Sequence, residues 1–317
     1  MSISPLPFQT SPVQSIQVNG LELWLKRDDL LDTYFSGNKA RKFAYFLQGE
    51  QLQGGKIVGY GSAQANSLLS LAALAKLKQA QLDFYVQHLP SLLVANPSGN
   101  YQHALALGAK IKCLPAEIKG EQIEPYLRAM LKQNEPDSVL ISEGGRMAEA
   151  KYGVAQLADE IYLWAKQQNL CQLNLVLPSG TGTTALFLQQ SLRERLSSQG
   201  DVNIEVFTCP CVGSVDYLVQ QFRSLSTDEA DFPQIVTPTK KYHFGKLYRQ
   251  CIEIWQLLLQ QTQVEFELLY DPIAWLTIMP WLAEHRQGEP IMYLHQGGVL
   301  GNETMLARYR RKYPDLF

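Results

Sequence analysis

Lys39 is the residue of this chain whose setting most favours chemistry at its own side chain. It follows a Gly-Asn turn and stands before the apolar stretch 43–47. Apolar surroundings desolvate an amine and lower its pKa, which makes the amine a nucleophile that can condense with an aldehyde. Taken alone, a lysine at the start of a helix is better explained as a solvated surface group, and only its combination with other motifs favours the chemical interpretation.

A second candidate site is a Gly- and Thr-rich loop that follows an apolar run and precedes a helical stretch. Glycine lets backbone amides turn toward an anion, the N-terminus of a helix favours negative charge, and threonines add hydroxyl donors. The loop therefore predicts a phosphate site, although ordinary Ser/Thr capping explains the same residues without a ligand. Its residues are Ser179, Gly180, Thr181, Gly182, Thr183 and Thr184.

The residues around this loop narrow the kind of phosphate. Gly180, Gly182 and Ala185 fit a dinucleotide fingerprint, but that fingerprint needs an acidic residue at the end of the next strand. The next predicted strand, 203–208, carries Glu205 in its interior instead. The loop also lacks the Gly-Lys-Ser/Thr sequence of a nucleotide-binding P-loop. A single phosphate monoester, whose aldehyde bonds a lysine elsewhere, fits the residues better.

A third loop, 61–66, precedes another helical stretch. Its Asn66 can donate a hydrogen bond to a ring hydroxyl, and Gln64 can line a pocket. The local sequence explains Asn66 equally well as the N-cap of the helix that follows.

The elements that must position these loops alternate along the chain between buried-strand patterns and helical patterns. This alternation predicts an α/β protein with open, mostly parallel twisted sheets covered by helices on both faces. Ligands of such sheets bind outside the carboxyl ends of the strands, where the Gly-rich loops fall. The predicted strands are 21–28, 56–60, 82–86, 109–114, 138–141, 173–177, 203–208 and 291–295, and the predicted helices include 39–48, 66–77, 98–107 and 151–168.

Composition and charge exclude several classes of function. The 317 residues are 46% hydrophobic and 18% charged with a net charge of −2, which gives no electrostatic basis for binding nucleic acid or an anionic membrane. No apolar run reaches membrane-spanning length and the N-terminal residues do not resemble a secretory signal, so we expect a cytoplasmic protein. Five cysteines suggest reduced thiols, with Cys209 and Cys211 as buried small hydrophobes rather than zinc ligands.

Taken in chain order, the motifs resemble one enzyme family. They are Lys26-Arg27-Asp28-Asp29, Gly37-Asn38-Lys39-Ala40-Arg41-Lys42, the loops 61–66 and 179–184, and Leu294-His295-Gln296-Gly297-Gly298. The set is similar to the 1-aminocyclopropane-1-carboxylate (ACC) deaminase / D-cysteine desulfhydrase family. That family lies within the tryptophan-synthase-β-like enzymes, which use pyridoxal 5′-phosphate (PLP). The Gly-Asn-Lys-x-Arg-Lys string behind Lys-Arg-Asp-Asp is the specific part, whereas the Gly/Thr loop is shared more widely.

The resemblance implies a PLP Schiff base on Lys39, Asn66 at the ring hydroxyl, and the 179–184 loop around the phosphate. It also implies two α/β lobes with the cofactor in the cleft between them, and a homodimer. Residues 1–42 and 151–317 would form the larger lobe, and 43–150 the smaller, inserted lobe.

The end of the last predicted strand adds two candidates for the cofactor's ring. His295 ends that strand beside Gly297, where both would touch the ring. A strand-end histidine that serves structure explains His295 as well.

Some positions depart from the family's pattern. The family's Gly-Gly-x-Gln-Ser-Asn loop has a substrate-side serine where this chain has Ala65. The family's Asp-Pro-Val-Tyr, followed by Glu or Thr, puts the tyrosine at the substrate and the next residue at the pyridine nitrogen. Matched on Asp271-Pro272, these two positions become Ala274 and Trp275, with Trp275 facing the pocket.

Thr277 is a candidate to replace one missing group, and Tyr242 is a separate candidate for the site. Thr277 would face the pyridine nitrogen if the helix register differs, and Tyr242 matches a second active-site tyrosine. Without the usual acids and bases near the substrate, ACC ring opening is disfavoured and D-cysteine desulfhydration is open to question.

Three functions are therefore compared. The first is a PLP-dependent enzyme that acts on a small amino acid by deamination or α,β-elimination. In it, Lys39 is the Schiff base and proton shuttle, and Tyr242 is an acid/base or substrate contact. The second is a PLP-binding homologue without the family's catalytic activity. The third is an α/β protein that uses its Gly/Thr loop for another phosphate ligand.

Overall fold

The computed structural model of the chain describes residues 10–199 and 201–317, which form two β-sheets flanked by helices. The expectation about a secretory signal falls largely on residues 1–9, which lie outside the described residues. The strands are β1 (Val13–Val18), β2 (Leu21–Arg27), β3 (Lys56–Tyr60), β4 (Gln81–Val86), β5 (Lys110–Cys113), β6 (Val139–Ile141), β7 (Gln172–Ser179), β8 (Asn203–Pro210), β9 (Gln234–Ile235) and β10 (Ile291–His295).

The helices lie between these strands and after the last of them. They are α1 (Gly37–Lys42), α2 (Ala44–Gln48), α3 (Asn66–Leu77), α4 (Ser91–Ala95), α5 (Gly99–Ala106), α6 (Ile123–Asn134), α7 (Ala150–Gln167), α8 (Thr183–Gln199), α9 (Val215–Arg223), α10 (Arg249–Thr262), α11 (Asp271–His285) and α12 (Asn302–Lys312). The predicted helix 39–48 is two short helices, because the buried Phe43 takes a non-helical conformation at φ −95° and ψ 5°.

The larger sheet has the strand order β1-β2-β10-β7-β8-β9, and the smaller has the order β5-β4-β3-β6. All neighbouring strands are parallel except β1 and β2. The predicted class, α/β with open and mostly parallel sheets, is confirmed. The smaller sheet draws its strands from residues 56–141 and the larger from the rest, while the division into lobes at 42/43 and 150/151 stays a prediction.

The antiparallel pair β1 and β2 is a hairpin that the sequence analysis misses. Its turn is Asn19-Gly20, with φ of 52° and 82°, and Val18 pairs with Leu21 across it. Two residues with positive φ form the turn type that matches the twist of a hairpin. The hairpin adds an edge strand to the larger sheet without touching the cavity described below.

Burial follows from the sheet topology. Every residue of the central strand β10 is buried, as expected of a parallel strand covered by helices on both faces. Cys209 and Cys211 lie buried at the end of β8 with their sulfurs 3.9 Å apart. Within the described residues, none of the helices has the length and apolar character that crossing a membrane requires.

Candidate active site

A cavity of about 920 Å³ lies at the carboxyl ends of strands from both sheets. Loops after β3, β6, β7 and β10 line it, which is where open α/β sheets bind ligands. The cavity brings together most of the residues singled out from the sequence: Lys39, Asn66, Ser179, Gly180, Thr181, Gly182, Thr183, Thr184 and Gly297.

Lys39 projects from α1 into this cavity and is only 7% exposed. Its Nζ donates one long hydrogen bond, 3.3 Å, to Oδ1 of Asn38. Burial lowers the pKa of Lys39 to about 8, so roughly a tenth of the amine is uncharged at pH 7. The interpretation of Lys39 as a solvated surface group is therefore wrong, because the side chain is buried in the wall of the cavity.

The opposite side of α1 is fixed by a buried ion-pair network. Arg41 is fully buried and donates to Asp28 at 2.9 Å and to Glu160 of α7 at 2.6 Å. Lys26 of β2 donates to the same glutamate at 2.6 Å. The helix also packs closely on α7, since a Cβ on Gly153 would lie 2.1 Å from the Arg41 carbonyl oxygen. These contacts hold the short helix, and Lys39 with it, in one position.

Lys42 is a second buried amine that sequence reasoning did not select. It lies one turn after Lys39, lines the cavity and donates to the carbonyl oxygen of Gly144 at 2.9 Å. Burial, together with the charge of Lys39, holds the pKa of Lys42 well below its usual range. The i, i+3 spacing, which places two side chains on one helix face, was the signal that could have identified it.

The 179–184 loop connects the end of β7 to the start of α8. Gly182 has a φ of 70°, and a Cβ there would lie 2.4 Å from the Phe222 ring, so the turn requires glycine. The Thr184 hydroxyl is buried, and it has no hydrogen-bond partner among the residues that the structure describes. Helix-entry amides and an unpaired hydroxyl together form a site suited to an anion.

Asn66 is the first residue of α3, and Ala65 before it occupies the N-cap position without a capping side chain. The N-cap interpretation of Asn66 is therefore wrong. Oδ1 of Asn66 accepts a hydrogen bond from Nδ2 of Asn100 at 2.8 Å. This contact orients the amide so that Nδ2 of Asn66 remains as a donor.

Two of the sequence candidates do not line the cavity. Tyr242 packs edge-on against Tyr248, with ring centroids 5.2 Å apart, and its hydroxyl is hydrogen-bonded by Gln250. His295 is fully buried, donates to the Glu265 carbonyl oxygen at 2.8 Å and stacks on a phenylalanine ring. The structural interpretation describes His295 better than a contact with a cofactor.

The residues matched on Asp271-Pro272 also lie away from the cavity. Trp275 stacks on Tyr293 in the core, with ring centroids 4.9 Å apart, and is 4% exposed. Ala274 is buried in the same core cluster, and Thr277 follows on α11 outside the cavity lining. The expectation that Trp275 faces the pocket is wrong, because the first turn of α11 directs it to the core.

Instead, the segment just before α11 enters the cavity. Tyr270 lines it, and burial raises the pKa of its hydroxyl. Asp271 accepts hydrogen bonds from the Tyr293 hydroxyl at 2.8 Å and from the Glu267 amide at 2.9 Å. Burial raises the pKa of Asp271 as well. In the family's Asp-Pro-Val-Tyr-Glu/Thr pattern, the tyrosine comes three residues after the aspartate, and the glutamate or threonine comes next. Glu267, Tyr270 and Asp271 have the same spacing. This alignment of the pattern starts four residues before the one that was based on Asp271-Pro272.

Comparisons with known proteins agree with this architecture. No family model matches the chain. A D-cysteine desulfhydrase of Serratia proteamaculans is 25% identical over 293 residues, which cover 88% of this chain and 87% of that protein. A bifunctional D-cysteine desulfhydrase/ACC deaminase of Arabidopsis thaliana is 25% identical over 301 residues, covering 89% and 74%.

Solved structures give the same result at the level of fold. The structure of an ACC deaminase homologue superposes with a TM-score of 0.73 at 20% identity, over 94% of both chains. The chain is therefore similar to D-cysteine desulfhydrases and ACC deaminases over most of its length. An O-ureido-L-serine synthase shares the fold more distantly, with a TM-score of 0.68 at 14% identity over 95% of this chain and 93% of the other. The expected tryptophan-synthase-β-like architecture is thereby confirmed.

Proposed function

We propose that the chain is a PLP-dependent enzyme that acts on a small amino acid by deamination or α,β-elimination. The observation that carries the proposal is the buried amine of Lys39, with its pKa near 8, in one cavity with an anion-binding loop. Its relatives are enzymes named for reactions on small amino acids. That the protein forms a homodimer and is cytoplasmic are further predictions.

The residues of the cavity fit PLP. The amides of the 179–184 loop and the unpaired Thr184 hydroxyl suit its phosphate. Nδ2 of Asn66, held by Asn100, suits its ring oxygen. The amine of Lys42 donates to the carbonyl oxygen of Gly144. Gly144 lies next to the 179–184 loop, since a Cβ on it would be 2.9 Å from Cγ2 of Thr181. The amine of Lys42 therefore lies near the proposed phosphate site. A bound phosphate would raise the pKa of Lys42 and favour its charged form.

When bound, PLP supplies the electron sink that stabilises negative charge at a substrate's α-carbon. The protein's part is to hold and move protons around that carbon. Lys39 can accept the α-proton once its amine is free, because a pKa near 8 suits a base at neutral pH. The buried Tyr270 hydroxyl, which keeps its proton, can donate it to a leaving group.

We assign the family's substrate tyrosine to Tyr270, in place of the position of Ala274, and its pyridine-nitrogen partner to Asp271, in place of Trp275 or Thr277. Both line the cavity, and they are adjacent in sequence as the family's pattern requires. A carboxylate at the ring nitrogen would favour the protonated ring and so strengthen the electron sink. Ala65 lacks the hydroxyl of the family's serine, so reactions that need that group are disfavoured.

The experiment is reconstitution with PLP. The wild type and Lys132→Ala, an exposed-lysine control on α6, should gain absorbance in the near-visible range, and Lys39→Ala should not. D- and L-amino acids are then added one at a time, while 2-oxo acids and sulfide are assayed. Failure of the wild type to gain absorbance would exclude the proposal and favour another phosphate ligand for the loop.

A second candidate function is a PLP-binding homologue without catalytic activity, which the loss of the serine hydroxyl at Ala65 favours. A homologue of this kind should gain the same absorbance with PLP as an active enzyme, and should also lose it in Lys39→Ala. Spectral shifts on adding amino acids, without any release of product across the panel, would select this function over the first.

A further inference from the structure

Glu267 is a buried acid on the wall of the cavity, and one of its oxygens has no partner. It is 2% exposed. Its Oε2 accepts hydrogen bonds from the backbone amides of Leu269 and Tyr270, both at 2.7 Å. Its Oε1 has no hydrogen-bond partner in the described part of the chain. A buried polar atom without a partner is costly, so such an atom beside a cavity indicates a ligand that completes it.

The carboxyl of Glu267 lies beside the amide of Asn66. A Cβ on Gly298 would lie 2.5 Å from Nδ2 of Asn66 and 3.3 Å from Cγ of Glu267. A Cβ on Gly301 would lie 3.5 Å from Oδ1 of Asn66 and 3.9 Å from Oε1 of Glu267. Both side chains therefore lie next to the same two glycines, and both line the cavity.

Oε1 is the atom that carries the proton when Glu267 is neutral. Burial, together with the charge of Asp271, raises the pKa of Glu267 to about 8, so the side chain is mostly protonated at pH 7. Oε2 already accepts from two amides, which leaves Oε1 as the site of the O–H. Among the described residues the O–H has no acceptor, and the side chain that carries it lines the cavity.

We propose that Glu267 donates a hydrogen bond from Oε1 to the ring oxygen of PLP, the same oxygen that Asn66 would contact. The inference rests on the proposed function, because PLP is the ligand that brings such an acceptor to this wall. Glu267 stands where the family's matched pattern has aspartate. The extra methylene allows the carboxyl both to bind the two backbone amides and to present its second oxygen to the ligand. Glu267 is thus a positioning residue for the ring.

The test compares PLP with an analogue that lacks the ring hydroxyl, 3-deoxypyridoxal 5′-phosphate. Dissociation constants of both ligands are measured on the apo forms of the wild type, Glu267→Gln and Glu267→Leu. Loss of one hydrogen bond should weaken PLP binding to Glu267→Leu by about tenfold, and binding of the analogue by less than about twofold. Glutamine retains an N–H donor of the same length, so its PLP affinity should stay within about threefold of wild type.

Two results with these variants would overturn the inference alone. If Glu267→Leu weakens the binding of PLP and of the analogue equally, Glu267 does not contact the ring oxygen. The comparison of two protein forms with two ligands is a double-mutant cycle, which isolates the interaction between Glu267 and that oxygen. A Glu267→Leu affinity equal to wild type would show that no contact exists. With either result, the proposed function still holds if the wild type binds PLP through Lys39. If the wild type does not bind PLP, the proposed function and this inference are both wrong.

A second variant guards against a misfolded leucine form. Glu267→Asp keeps a carboxylate for the two backbone amides but is too short to reach the ring oxygen. Its apo form is expected to unfold at a temperature close to that of wild type, and to show the same selective loss of PLP over the analogue. An aspartate variant that discriminates between the two ligands as wild type does would contradict the inference.

Discussion

One wall of the cavity carries buried amines and the other carries buried acids. Lys39 and Lys42 lie on α1, and burial lowers the pKa of both. Glu267 and Asp271 lie before and at the start of α11, and burial raises the pKa of both. Desolvation thus favours the uncharged form of the side chains on both walls, by lowering the pKa of the amines and raising the pKa of the acids. The difference suggests that the amine wall is prepared for an anion, and the acid wall for a hydrogen-bond acceptor or a basic nitrogen.

The two walls are also held differently. The amine wall depends on the ion pairs of Arg41 on the far side of α1. The acid wall depends on backbone amides and on the Tyr293 hydroxyl. Variants of each wall should therefore fail in different ways: loss of stability for the first, and loss of chemistry for the second.

The largest effect is expected from Arg41→Met. It leaves the buried Asp28 carboxylate without a cationic partner and leaves Glu160 with Lys26 alone, which should lower the free energy of unfolding by about 3–5 kcal/mol. The control is Arg128→Met, which removes an exposed ion pair with Glu124 and should cost less than about 1 kcal/mol. Urea unfolding of both variants checks the contrast, and equal losses would contradict the role given to the buried network.

Next in size is the effect of removing a hydroxyl on the substrate side. Tyr270→Phe should lower kcat by about 100-fold, since it removes the proton donor assigned to the leaving group. Tyr242→Phe should change kcat by less than about twofold, because that hydroxyl meets Gln250 outside the cavity. Steady-state kinetics on the best substrate of the panel decides. A larger loss for Tyr242→Phe would restore the expectation drawn from sequence.

The acid wall makes the stability of the apo protein depend on pH. Glu267 binds its proton up to pH 8 in the folded state but only up to about pH 4.5 when unfolded, so its contribution falls as pH rises between these values. Relative to Glu267→Gln, wild type should therefore lose on the order of 2 kcal/mol between about pH 6 and pH 8. Chemical unfolding across this range measures the difference, and a constant difference would contradict a protonated Glu267.

The smallest effect is expected from single hydroxyls on α8. Thr184→Val should weaken PLP binding by about tenfold, through loss of one hydrogen bond to the phosphate. Ser191→Ala is the matched control, because its buried hydroxyl also lacks a partner in the described residues but lies away from the cavity. Its PLP affinity should equal that of wild type. Equal losses in the two variants would argue against the phosphate site.

The amine wall could be anticipated from sequence because its motif is continuous. Lys39, Arg41 and Lys42 stand within one string, and the strand–helix alternation places the Gly/Thr loop at a strand end. What sequence could not give is that Arg41 turns away from the cavity while Lys42 turns into it. The direction of each side chain depends on where α1 packs against α7.

The acid wall could not be anticipated, because Asp271-Pro272 offered a false match for the family's Asp-Pro. In the proposed assignment, Tyr270 and Asp271 take the places of the tyrosine and of the residue after it, but without a proline after Glu267 the pattern is hidden. The burial of the side chains in the structure is what distinguishes the alignment that starts at Glu267 from the one that starts at Asp271. Trp275 packs in the core, whereas Tyr270 reaches the cavity.

The measurement that tests the account most directly is the site of PLP attachment. The wild-type protein is incubated with PLP, reduced with borohydride, digested and analysed by mass spectrometry. The account predicts one reduced pyridoxyl group, on Lys39, at stoichiometric yield. Modification of Lys42 or of exposed lysines instead, or no stoichiometric modification, would contradict the assignment of Lys39 and the proposed function with it.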